Sequence, residues 1–173
     1  PAPAPARVGG FGGPDGLAAY LRAESIEAVV DATHPFAARM TRNAALACAD
    51  AGVPLLRVSR PGWAAHPLAA TWSWVADHPA AAVAAALAAA GRGRSRVLLT
   101  VGRQPPAYLD LPDVVARVAE APDAALPPGW ELVVARGPFA EAGERALLES
   151  RGVGVLVTKD AGGPAAKLDA AAA

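Results

Sequence analysis

The segment Ile26-Glu27-Ala28-Val29-Val30-Asp31-Ala32-Thr33-His34-Pro35-Phe36 decides the fold. Its first part is a short β-branched run that reads as a strand, Ile26–Val30. Its second part is polar and carries a proline, as loops do, and Phe36–Ala51 beyond it reads as a helix. A strand that ends in a polar turn and passes into a helix is the repeating unit of α/β proteins.

The same order recurs outward from this segment. Leu55–Val58 reads as a strand and Trp72–Val75 as a further candidate. Arg96–Thr100, Val114–Val118, Leu132–Ala135 and Val153–Thr158 read as strands, with helices at Ala140–Ser150 and from Pro164 onward. Ala80–Ala90, bounded by Pro79 and Gly91, is an alanine helix, favoured by propensity and small enough to pack close to a sheet. The fold class is therefore α/β with a largely parallel sheet. Ala64–Thr71 and the Asp77–Pro79 turn read as a connection between two halves, 1–77 and 78–173. The chain opens in a proline-rich loop and closes inside a helix, so both ends are expected to be incomplete.

Composition narrows the function. Of 173 residues, 53% are hydrophobic, but 46 are alanine, so large apolar anchors are few. The longest apolar run, Ala80–Ala90, has 11 residues, where a bilayer span takes roughly 20. Sixteen basic residues balance sixteen acidic ones, which gives no broad surface for nucleic acid or membrane. The lone Cys48 forms no internal disulfide, and Pro1-Ala2-Pro3-Ala4-Pro5 lacks the features of a signal peptide, so the cytoplasm is the expected compartment.

Four polar clusters follow directly on strands: Asp31 to Phe36, Thr100-Val101-Gly102-Arg103, Ala135-Arg136-Gly137-Pro138-Phe139, and Thr158-Lys159-Asp160-Ala161-Gly162-Gly163. The carboxyl edge of an open α/β sheet is where ligands bind. Arg103, Arg136 and Lys159 add positive charge there, glycines allow close backbone approach, and prolines stand where helices open. Convergence of the four on one crevice would make a site for a polyanion; taken singly, each is an ordinary turn with an exposed cation. His34 reads equally as a general acid or as a histidine fixed by Asp31. His34, His66 and His78 show no metal-ligand spacing, and no metal is expected. Gly10-Phe11-Gly12 is followed by Asp15 where a dinucleotide fingerprint needs its third glycine, which leaves a glycine-rich turn into a helix. Trp63, Trp72, Trp74 and Trp130 read as core anchors rather than stacking platforms. No nucleophile elbow, phosphate loop or paired carboxylates appear.

At these clusters the sequence resembles the precorrin-6A reductase family. The resemblance is carried by Val29 through Ala37, Gly9 through Gly13, Thr100 through Arg103, Ala135 through Phe139 and Val157 through Gly163, in the family's order and spacing. Ala166-Lys167-Leu168-Asp169-Ala170 is similar to its closing helix. The family's first strand and its Gly-Gly-Thr turn have no counterpart here. Ala161 stands where the family usually has serine, and the stretch from Gly163 to Lys167 is shorter than the family's.

The resemblance implies two Rossmann-like halves and an NADPH-dependent reduction of one C=C bond of precorrin-6A, or of its cobalt complex, to the 6B form in cobalamin biosynthesis. With it, Gly10, Gly12, Thr33, His34, Lys159, Gly162 and Gly163 are the candidates for the cofactor, and Arg39, Arg103, Arg136 and Lys167 for substrate carboxylates, the arginines alternatively for phosphate; His34 is the candidate proton donor, with solvent as the alternative. The expected partner is a tetrapyrrole small-molecule substrate, with neither nucleic acid nor membrane, and the sequence leaves the oligomeric state open, a monomer included. The competing classes are a non-catalytic α/β anion-binding domain and a transferase of the same pathway. Oxidation of NADPH that depends on precorrin-6A separates both from a reductase.

Overall fold

A computed structural model describes residues 6–93, 96–102 and 106–172. They form two compact units, Pro1–Pro61 and Gly62–Ala173. The 62–77 stretch, which the sequence places with the first half, groups with the second unit.

In the first unit, helix α1 (Gly13–Ala23) packs on helix α2 (Ala38–Ala51), and α2 connects two parallel strands, β1 (Val29–Asp31) and β2 (Leu55–Arg57). The helix periodicity explains the packing. Leu17, Ala18 and Leu21 fall on one face of α1, and Ala44, Ala47 and Cys48 on one face of α2; these six form the core. Gly52 ends α2 in the left-handed conformation (φ 70°), and the Val53 N–H returns to the Cys48 carbonyl at 2.9 Å. On the strands Val30 and Leu56 point away from this core and are exposed.

The second unit begins with two 3₁₀ turns, Trp63–Ala65 and Ala69–Thr71, and continues as helix α3 (His78–Gly91), strand β3 (Arg96–Thr100), strand β4 (Val114–Val118), strand β5 (Trp130–Val134), helix α4 (Glu141–Ser150), strand β6 (Val153–Thr158) and helix α5 (Ala166–Ala172). Its four strands are all parallel, in the order β5-β4-β3-β6. Every residue of β4 is buried, and side chains alternate between two apolar layers. Val97, Leu99, Val114 and Ala116 meet Ala82 and Ala85 of α3 on one face. Leu98 and Val115 meet Leu148 of α4 and Ala170 of α5 on the other.

The chain thus steps outward from β3 to β4 to β5, then returns through α4 to place β6 on the opposite side of β3. That reversal is a topological switch point between β3 and β6.

Most expected elements are present with small shifts. Trp72–Val75 is not a strand: Trp74 instead folds back and donates its indole N–H to the Ala69 carbonyl at 3.0 Å. His78 is the first residue of α3 rather than part of a turn, because the Asp77 side chain caps the helix by accepting from the Ala80 N–H at 2.8 Å.

Candidate functional site

The carboxyl ends of β3 and β6 are neighbours by strand pairing, with Thr100 opposite Thr158. The loops that leave them, Val101-Gly102 and Lys159 to Gly163, flank the switch point. Gly102, Gly162 and Gly163 have φ of 82°, 64° and 75°, a region that L side chains rarely enter and that lets the backbone turn tightly without a Cβ at the rim. The Thr100 hydroxyl donates to the Val157 carbonyl at 3.3 Å and ties the two strand ends together. Arg103 lies outside the described residues.

The Lys159–Gly163 loop is shaped by its own aspartate. Asp160 Oδ1 accepts the Gly162 N–H at 3.3 Å and the Trp63 N–H at 2.9 Å. On the α3 side of the sheet, His78 Nδ1 lies 2.8 Å from the hydroxyl of Tyr108, which is fully buried. Burial pushes the His78 pKa down and the Lys159 ammonium pushes it further in the same direction, so the ring is held in its neutral form.

On the other face, Arg117 of β4 and Glu144 of α4 form a buried ion pair at 2.7 Å. The Arg117 guanidinium lies 4.1 Å from the centre of the Phe139 ring, a cation–π distance. Lys167, on the first turn of α5, sits 5.3 Å from the centre of the Trp63 ring. Burial and then the nearby Arg117 charge lower its pKa, against a smaller opposing pull from Glu144.

Arg136 follows β5, at the far edge of the sheet. Three inter-strand steps separate β5 from β6, about 14 Å at the usual spacing. Arg136 is exposed and paired with Glu120. Among the described residues of this unit, the β3 and β6 clusters are the ones that follow neighbouring strands.

In the first unit the Asp31 to Phe36 cluster leaves β1 as expected. Asp31 binds Thr33, accepting its N–H at 3.0 Å and its hydroxyl at 2.6 Å, and these bonds hold the Asp31 carboxyl below the usual range. His34 Nδ1 accepts the Phe36 N–H at 3.2 Å, which places the ring proton on Nε2 when the ring is neutral. Arg39 is exposed near the start of α2.

In the glycine turn, Gly9, Gly12 and Gly13 have φ of 109°, 81° and 91°, and no side chain caps α1. A Cβ at Gly10 or Gly12 would meet nothing within 4 Å. The backbone geometry, not crowding, calls for glycine at Gly12. Arg7 stands over this turn, 4.9 Å from the Phe11 ring centre and 5.0 Å from that of Tyr20, and donates to the Gly10 carbonyl at 3.2 Å. Sequence reasoning missed Arg7, Gly62, Tyr108 and the role of Trp63, since each is defined by a partner distant in the chain or by backbone geometry.

A groove of about 730 Å³ runs along β6 between α3 and α5, lined by Trp72, Trp74, Ala85, Val155, Val157 and Leu168 among others. Its walls are mostly apolar, but Arg92, Thr158 and Asp160 also line it, the last two from the end of β6 and the loop that follows. The cationic, glycine-bearing edge at the switch point is the better candidate.

A doubly wound parallel sheet whose switch point carries a lysine and left-handed glycines has the layout of α/β enzymes that bind nucleotide cofactors. The model of the precorrin-6x reductase family CbiJ/CobK matches residues 1–173. The chain is 48% identical over 172 residues to a precorrin-6A reductase of Rhodococcus erythropolis, covering 96% of this chain and 67% of that one. It is 47% identical over 174 residues to one from Mycobacterium tuberculosis, covering 98% and 68%. A solved structure of CobK precorrin-6A reductase superposes with a TM-score of 0.85 at 39% identity, covering 99% of this chain and 70% of that one. The chain belongs to the precorrin-6x reductase family, oxidoreductases of cobalamin biosynthesis that act on a CH–CH group. A nicotinamide cofactor follows from that class.

Proposed function

We propose that the protein reduces one C=C bond of precorrin-6A, or of its cobalt complex, with NADPH as hydride source. The observation that carries the reading is the pairing of the β3 and β6 loops at the switch point, where Lys159 shares a short loop with the left-handed Gly162 and Gly163, which put no side chain at the rim. Such a rim suits phosphate, because backbone can approach closely and the charge is local.

Lys159, Gly162 and Gly163 would hold phosphate and the nicotinamide region in the second unit. In the first unit, Gly10, Gly12, Thr33 and His34 are the residues assigned to the cofactor, and the uncapped start of α1 there leaves amide donors for an anion. NADPH, when bound, supplies the hydride; the protein's work is orientation and charge neutralisation. Lys167, Arg39, Arg103 and Arg136 are assigned to the substrate's acetate and propionate groups. Lys167 suits that role best on physical grounds, since its partly desolvated ammonium gains most from a carboxylate partner. The ring of His34 can give the Nε2 proton to the reduced macrocycle.

Cofactor choice is tested by thermal melts. NADP should raise the melting temperature of the protein more than NAD at equal concentration, because a ligand that binds only the folded state stabilises it in proportion to its affinity. Equal or absent shifts would count against the NADP assignment. Full turnover by His34→Ala would remove the proposed proton-donor role.

A further inference from the structure

The Lys159–Gly163 loop is held from outside its own strand, by Trp63, which the sequence presents as a core anchor. The Trp63 N–H donates to Asp160 Oδ1 at 2.9 Å, the same oxygen that accepts the Gly162 N–H. The Trp63 indole N–H donates to the Gly163 carbonyl at 2.8 Å. A Cβ at Gly62 would stand 2.5 Å from Asp160 Oδ2, so a side chain there would push the Asp160 carboxylate out of its present place. Trp63 is 6% exposed, and the ammonium of Lys167 lies over its ring. Three residues further on, His66 Nδ1 accepts the Leu68 N–H at 3.2 Å, so in the neutral ring Nε2 carries the proton and donates to Asp169 of α5 at 3.0 Å.

We propose that Trp63 is a positioning residue for the reduction: its amide and indole clamp the glycine loop, and its ring sets the place of Lys167. This rests on the reading that Lys159, Gly163 and Lys167 meet cofactor and substrate. A loop with two left-handed glycines has few internal restraints of its own. Two of the hydrogen bonds that restrain it come from Trp63. A loop free to shift by an ångström loses orientation of whatever it holds, which can cost up to about a hundredfold in rate.

The test is steady-state NADPH oxidation with precorrin-6A by the variants Trp63→Phe, Gly62→Ala, Asp160→Ala, Asp160→Asn and Lys159→Ala, with a melting curve for each. Trp63→Phe keeps the buried ring and the main-chain amide but removes the indole donor, so KM for NADPH or for precorrin-6A should rise roughly three- to tenfold, the worth of one neutral hydrogen bond. Gly62→Ala and Asp160→Ala should act in the same direction, and Asp160→Asn, which keeps an acceptor oxygen, should recover most of the loss. A merely structural role would lower the melting temperature and leave both KM values unchanged. Wild-type KM values in Trp63→Phe and Gly62→Ala, alongside an impaired Lys159→Ala, would overturn the clamp alone. Wild-type kinetics in Lys159→Ala as well would overturn the site assignment beneath it. If Asp160→Ala does not fold, Trp63→Phe and Gly62→Ala decide the matter by the same KM criterion.

Discussion

The charge pair at Arg117 and Glu144 is the sharpest energetic feature at the level of single residues. Both side chains are nearly inaccessible, at 7% and 1%, and a buried charge that loses its partner is costly. Glu144→Leu should therefore destabilise the fold by about 3–5 kcal/mol in urea denaturation, while Arg117→Met combined with Glu144→Leu should restore most of it. A double variant no better than the single one would contradict this account. His78 gives a second prediction. Its pKa is lower in the folded protein than in the unfolded chain, so the unfolded state binds the proton more readily. Stability should be level above the ordinary histidine value of about 6.5 and fall as pH drops below it, flattening again beneath the depressed folded pKa. Denaturation midpoints between pH 5 and 8 measure this. The slope should shrink in His78→Gln, and an unchanged slope there would remove His78 as its source.

The elements were legible where composition and period agreed. β3, β4 and β6 are rich in valine and leucine, and α3 is mostly alanine, so local propensity and tertiary placement point the same way. The outcome differed where a side chain found a better partner than the local pattern suggested. Trp72–Val75 alternates like a strand, yet the Trp74 indole is bonded within its own segment. Pro35, Pro138 and Pro164 precede helices without opening them, since α2, α4 and α5 begin at Ala38, Glu141 and Ala166. For α3, Asp77→Ala should cost about 1 kcal/mol through loss of the cap. Changing Ala82, buried against the sheet and away from the groove, to leucine should cost about 1–3 kcal/mol through overpacking. Chemical denaturation checks both, and a neutral Ala82→Leu would show that α3 packs less closely than described.

At the scale of the whole molecule, the candidate site was partly legible. That lysine and glycines should follow β6, and threonine and glycine follow β3, could be read directly. That these two loops adjoin could not, because strand order depends on β6 crossing to the far side of β3, and no residue pattern encodes that crossing. The same gap hid the clamp, since Trp63 is 97 residues from Asp160. The reductase family itself rested on ordered motifs spread along nearly the whole chain, and it agrees with the relatives found. The most direct measurement is anaerobic incubation of the protein with NADPH and precorrin-6A, following nicotinamide absorbance and the mass of the tetrapyrrole together. The account predicts one NADPH consumed for each tetrapyrrole that gains two hydrogens, with the rate sharply reduced in Lys159→Ala. NADPH that stays reduced, or a tetrapyrrole of unchanged mass, would contradict it.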